Sequence, residues 1–141
     1  MYRHILIPTD GSELAELGVA HGLSLAKLVG AKVTVVVAEE QVVSWSGAAE
    51  AFLRYTEHIK KHATSVLDRV ANAAKEAGVP CDTVQVQHVQ PYEAIIATAT
   101  DRGCDLIVMA SHGCSGLSAM VLGSVTNKVL THAKTPVLVV Q

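Results

Sequence analysis

The chain has 141 residues, half of them hydrophobic and 17% charged, a balance that excludes intrinsic disorder and is long enough for one domain with a proper core. Its 11 Lys and Arg against 13 Asp and Glu leave a net charge of -2, so neither the basic surface that nucleic acid requires nor a polybasic membrane patch is expected. The longest apolar runs, such as Val35 to Ala38 and Leu106 to Ala110, fall far short of the roughly 20 residues that span a bilayer. The first residues, MYRHILIPTDGS, enter a strand-like run without the organisation of a secretory leader, and Cys81, Cys104 and Cys114 contain no CxxC pair. The expectation is a soluble protein of the reducing cytoplasm.

Five short aliphatic or β-branched segments read as strands: Tyr2 to Pro8, Val33 to Ala38, Thr83 to Val89, Asp105 to Ala110 and Pro136 to Val140. Between the first two, Leu14, Leu17, His21, Leu25 and Leu28 recur at helical spacing over Glu13 to Val29, and Gly30 supplies the stop. A longer helix is expected from about Ala48 to Ala77, with Phe52, Tyr55, Ile59, Ala63, Val66, Val70 and Ala74 stepping by three or four residues before Gly78 and Pro80 end it. A third helix opens at Pro91 with Ala94, Ile95 and Ala99 buried, and a fourth runs from about Ser124 to Ala133. The loop Gln41 to Gly47, with the only Trp, is expected to be the most mobile piece. Strict alternation of strand and helix, with strands that are nearly continuous apolar runs, predicts an α/β fold: a doubly wound five-stranded parallel sheet with helices on both faces. Such sheets bind ligands beyond the carboxyl ends of their strands at the topological switch point. The loops leaving the first and fourth strands are therefore the ones to examine.

The fourth-strand loop reads Ala110-Ser-His-Gly113, nine residues, then Gly123-Ser124 at a helix start. Gly123 admits close approach, and the N–H groups of Ser124, Val125 and Thr126 belong to the first helical turn, where the dipole favours an anion. The hydroxyls of Ser124 and Thr126 add donors. Two readings stay open: a phosphate cradle, or glycines that merely permit positive φ in a connection. The first-strand loop PTDGS offers Asp10, either as an acceptor for a ribose or adenine edge or as a turn carboxylate that caps the first helix. His112 faces a phosphate or hydrogen-bonds its own loop. Cys114 has no identifiable base, and His58 and His62, four residues apart on the long helix, lack a third ligand and read as a solvated face.

ILIPTDGS, PYEAI, DLIVMASHG, GSVTNKVL and PVLVV stand in an order and at separations that resemble a single-domain universal stress protein over nearly the whole of residues 1–141. The resemblance implies the strand order 3-2-1-4-5 of adenine nucleotide α-hydrolase-like folds and, for the branch marked by G-x2-G-x9-G-[ST], ATP as ligand. Gly113, Gly123 and Ser124 match that motif, whereas Ala110 replaces its first glycine. Carried over by the resemblance, Pro8, Thr9 and Asp10 contact the adenine and ribose side, Ala38 lines the adenine pocket, Met109 and Ala110 follow the ribose edge, and His112, Gly113, Gly123, Ser124, Val125 and Thr126 stand about the phosphates. Mg2+ or Mn2+ would accompany the nucleotide, held by its phosphates alone or with Asp10 as the one carboxylate the resemblance leaves open. The resemblance also implies a cytoplasmic homodimer paired through the last strand, acting in stress response or regulation, and at most a slow ATPase. A stress protein that binds no nucleotide and works through protein contacts is the alternative. An α-hydrolase enzyme would carry a glycine- and serine-rich SGGxDS-type loop where this chain has PTDGS.

Overall fold

The computed structural model describes residues 1–41, 49–112 and 122–141. Trp45, Gly113 and Cys114, and the expectation of a mobile loop beyond Gln41, lie outside these residues. The chain alternates β1 (His4–Pro8), α1 (Glu13–Val29), β2 (Lys32–Glu40), α2 (Ala49–Ala77), β3 (Cys81–His88), α3 (Pro91–Asp101), β4 (Leu106–Ala110), α4 (Ser124–His132) and β5 (Val137–Val140). Every strand pair is parallel, and the order across the sheet is β3-β2-β1-β4-β5. No helix among the described residues is long and apolar enough to cross a membrane.

The two faces follow from handedness. Parallel crossovers are almost always right-handed, so the β1-to-β2 and β2-to-β3 steps put α1 and α2 on one face, and the reversed steps put α3 and α4 on the other. Two cores result. Ile5, Ile7, Val33, Val35 and Val37 pack with Val19, Leu23, Val66 and Val70, while Leu6, Val36, Ile107 and Met109 pack with Ile95, Ala99 and Val129. β1 and β4 are buried from end to end. The edge strand β3 is exposed or half-buried throughout, so an uninterrupted apolar run describes the central strands and fails at this edge.

Helix α1 corrects the expected apolar stripe. Its buried face is Ala15, Gly18, Val19, Gly22, Leu23 and Ala26, whereas Leu17 and Leu28 are 45% and 83% exposed and His21 turns outward to the Leu17 carbonyl. The cause is close approach. A Cβ on Gly18 would stand 3.0 Å from the Ala110 backbone N, and one on Gly22 would run into Ile7 Cδ1. Small residues let the helix axis settle on β1 and β4, and the larger leucines are displaced from the contact. In α2 the expected stripe is buried at Ala63, Val66, Val70 and Ala74, with Leu67 added, but Tyr55 is 41% exposed and Phe52 and Ile59 are only half-buried. α3 buries Ala94, Ile95 and Ala99 as expected, together with Thr98.

A polar pair lies under the amino ends of the strands. His4 is buried, its Nε2 2.7 Å from Thr34 Oγ1, and the Asp105 carboxylate accepts the backbone N–H groups of Arg3 and His4 at 2.9 and 3.1 Å. Burial first, then the Lys32 charge, holds the His4 ring below the ordinary histidine value, against the opposing effects of the Arg102 backbone and Asp105. The folded protein thus disfavours the proton that the unfolded chain takes up near the ordinary value of 6.5. A lowered folded pKa gives stability that is complete above the unfolded value and is lost as pH falls through the folded one. Urea midpoints measured at pH 7.5 and 5.5 are expected to fall further for the wild type than for His4→Gln. Equal falls would remove His4 from the acid response.

Candidate functional site

The end of β1 is fixed by a chain of short hydrogen bonds. Thr9 N–H donates to the Val36 carbonyl at 2.9 Å, Thr9 Oγ1 accepts from Gly11 N–H at 3.2 Å, and Asp10 Oδ1 accepts from Ser12 N–H at 2.9 Å. Gly11 has φ +83°, and a Cβ there would meet Val66 Cγ2 at 2.6 Å, so only glycine satisfies both the left-handed backbone and the approach of α2. The cap of α1 is Ser12, whose Oγ accepts the Ala15 N–H. Asp10 therefore does not cap the helix: it stands two residues before the cap position, and its carboxylate stiffens the turn instead.

The end of β4 meets the start of α4 across the crevice. Gly123 N–H donates to the Ser111 carbonyl at 2.8 Å. Gly123 has φ -59° and ψ 152°, which corrects the expectation that it permits positive φ. Its value is again proximity, since a Cβ would stand 3.0 Å from the Ser111 carbonyl oxygen and 3.3 Å from His112 Cα. Gly123 at the cap position offers no side chain to α4, and the first-turn N–H groups of Ser124, Val125 and Thr126 stand at the positive end of the helix dipole. The hydroxyl of Thr126 is not an added donor there: Thr126 is buried, and Oγ1 donates to the Ala110 carbonyl at 2.8 Å. Ser124 is exposed. His112 is 5% exposed, with Nδ1 2.9 Å from Ser111 Oγ, the loop-bonding alternative for this ring.

Between these two ends lies a cavity of about 280 Å³. Pro8, Thr9, Asp10 and Ala38 line one side of the set, and Met109, Ala110, His112, Gly123, Ser124, Val125 and Thr126 line the other. The structure thus brings together all the sequence-selected residues that fall within the described chain; Gly113 does not. Ala15, Pro91 and Ile95 also line the cavity and were missed. Their signal was topological: the crossover from β3 back to β4 carries the start of α3 over the switch point, and Ala15 sits on the first turn of α1. Ala110 keeps strand geometry, paired with Val140, and among the described residues only glycines have positive φ.

Ladder alternation adds one feature. Even-numbered residues of β2 turn their backbone groups toward β1, as Lys32 N–H to Arg3 and Thr9 N–H to Val36 demonstrate, and odd ones toward β3, as Val33 N–H to Pro80 and Gln41 N–H to His88 demonstrate. Ala38 is even and lies beyond the last β1 pair, Pro8 with Val36. Its N–H and C=O therefore face the cavity side of the sheet past the end of β1.

His62 is exposed, in keeping with a solvated face, and it also reaches this region, with Nε2 3.4 Å from the Asp10 carbonyl oxygen. Among the described residues no group of three or more His, Cys, Asp or Glu could hold a metal ion.

Fold and crevice define a doubly wound parallel α/β protein with a cavity at its switch point. The model of the universal stress protein family matches residues 1–141. The universal stress protein MJ0531 of Methanocaldococcus jannaschii is 33% identical over 142 residues, spanning all of this chain and 83% of the relative. Among solved structures, hypothetical protein MJ0577 superposes with a TM-score of 0.82 at 28% identity, over 99% of this chain and 96% of the other. A universal stress protein in complex with cAMP superposes with a TM-score of 0.76 at 25% identity, over 99% and 97%. The chain belongs to the universal stress protein family.

The Thr126 bond ties α4 to β4 whether or not a ligand is present. Thr126→Val is expected to destabilise the fold by about 1–3 kcal/mol, the cost of a buried acceptor left unmatched, and Thr126→Ser by clearly less. Chemical denaturation of the three proteins measures it. Equal stability of wild type and Thr126→Val would deny the latch.

Proposed function

We propose that the chain is an ATP-binding regulatory protein of the stress response, the nucleotide being held between Asp10 and the start of α4 as a ligand or slow substrate. The observation that carries this reading is the amino end of α4, at Gly123 and Ser124, opening on the same cavity as Asp10. An anion placed there would accept backbone N–H groups and sit at the favourable end of the dipole. The cavity is near the lower end of the roughly 300–1,000 Å³ usual for small ligands. It suits a nucleoside, with the phosphates lying toward exposed Ser124.

The Ala38 backbone supports adenine as the base. One N–H and one C=O side by side can pair with the N1 acceptor and N6 donor of adenine, and a base held in that orientation would present guanine's N1 donor and O6 acceptor in reversed order. The cAMP complex of a relative agrees with an adenine ligand. Mg2+ or Mn2+ would ride on the phosphates. Residues 1–141 act in this reading as one domain in the cytoplasm, and no catalytic base is needed.

Saturating ATP and Mg2+ is expected to raise the melting temperature, since a ligand at about 100 times its dissociation constant stabilises by about 2.7 kcal/mol. Asp10→Ala should weaken the effect, Ala38→Pro, which deletes the N–H, should blunt the preference for ATP over GTP, and Ala110→Gly should leave binding equal or stronger. A wild type that shows no shift and releases no nucleotide on denaturation, with binding gained only in Ala110→Gly, would establish the protein-contact reading instead.

β5 forms the sheet edge, with Leu138 42% exposed, and an aliphatic edge invites pairing. The proposed assembly is a homodimer with this strand paired antiparallel across a two-fold axis. Light scattering at micromolar concentration should give a dimer, and Leu138→Lys should shift it toward monomer. A wild-type monomer, or a dimer indifferent to Leu138→Lys, would place the interface elsewhere or remove it.

A further inference from the structure

We propose that His62 of α2 is a positioning residue for the nucleotide pocket, donating from Nε2 to the Asp10 carbonyl and so holding the Thr9-Asp10-Gly11 turn in its binding geometry, with Glu39 as its electrostatic partner. The inference rests on the nucleotide reading and adds a residue that lies outside the cavity lining. Three observations converge on it.

The turn that carries Asp10 is wedged against α2. Gly11 has no room for a Cβ, which would stand 2.6 Å from Val66 and 3.4 Å from His62 Nε2, so the imidazole packs against the turn as well as bonding it at 3.4 Å. Beneath it lies a carboxylate that local bonding leaves half satisfied: Glu39 Oε1 accepts from Gln85 at 3.4 Å, while Oε2 is buried without a hydrogen-bond partner. Burial first raises the Glu39 pKa, and Gln85 and then His62 oppose that rise. The ring among the causes opposing that rise is the same one that meets the Asp10 carbonyl. Glu39 follows Ala38, whose backbone faces the cavity. Strand alternation turns its side chain to the α2 face and the Ala38 side chain to the opposite one, so the base edge and the turn are braced from behind by one pair. The remaining charges near the ring are Arg69, whose Nη2 lies 3.7 Å from the same Cβ position, and Glu16, which pairs with Arg69 at 3.1 Å. On α2 itself, His58 stands one turn earlier.

The experiment compares wild type with His62→Gln, His62→Leu, Glu39→Gln and the double variant Glu39→Gln/His62→Leu. ATP affinity is measured by calorimetry with Mg2+, and amide exchange at Gly11 and Ser12 in the nucleotide-free proteins. Leu removes the donor, whereas the Gln amide restores one at a similar reach. His62→Leu is expected to weaken ATP about three- to tenfold, the scale of one net hydrogen bond, and to speed exchange at both amides at an unchanged melting temperature. His62→Gln should remain within about twofold of wild type. The effects of Glu39→Gln and His62→Leu should be non-additive, as for coupled groups. Unchanged affinity and exchange in His62→Leu, or no rescue by His62→Gln, would overturn the positioning role, and additivity would remove Glu39 from it. A wild type that binds no ATP would sink the proposed function, and the exchange arm would still decide whether His62 holds the turn.

Discussion

Everything at the site depends on a divergence between two neighbouring strands. β1 and β4 lie side by side at the centre of the sheet, but β1 leads outward to β2 and β4 leads outward to β5. Chain direction across the sheet reverses between them, and the crevice lies beyond their carboxyl ends. Close packing would ordinarily fill such a gap. Here the surrounding groups are committed elsewhere: the Thr9 N–H to Val36, the Thr126 hydroxyl to Ala110 and the Gly123 N–H to Ser111. Each of these bonds draws a wall of the crevice toward the sheet and none crosses it. Among the described residues, the cavity stands where the topology places it.

The second constraint is the distance at which helices ride on the sheet. Gly18 and Gly22 bring α1 onto Ala110 and Ile7, Gly11 brings the β1 turn against α2, and Gly123 brings α4 onto Ser111 and His112. Of these, Gly11 alone also needs a left-handed backbone. Glycine here sets spacing more often than it permits unusual angles. This bears on function, because Gly123 is explained by packing whether or not a phosphate lies beside it. An anion would be drawn instead by the dipole at the first turn of α4.

How much was legible in the sequence follows from the same distinction. Alternating β-branched runs and helical periods gave the element order, because burial on both faces leaves a pattern in composition. The strand order came with the family resemblance, and the cavity residues were reached by combining that resemblance with the switch-point rule. What could not be read was contact through small residues. Counting leucines on α1 selected Leu17 and Leu28, which face outward, since a glycine that touches the sheet scores as a gap in an apolar stripe. The cap stayed open for a related reason: Asp10 and Ser12 are both good cap residues, and only the path of the turn decides between them. His62 was set aside as surface because its partner is a carbonyl 52 positions away, and a backbone acceptor leaves no mark in the side-chain pattern.

The two sides of the crevice differ in how they are held, and that difference has a consequence for binding. On the α4 side the donors are backbone N–H groups of a helix packed through buried Thr126 and Val129, so their geometry is set by the core and any ligand meets them preformed. On the β1 side Asp10 sits in a four-residue turn kept in place by Thr9, Ser12 and the α2 face. A turn of this kind opens at lower cost than a packed helix. The α4 wall is thus the rigid one and the Asp10 wall the adjustable one; under the proposed function a phosphate would meet the first, and the ribose side the second.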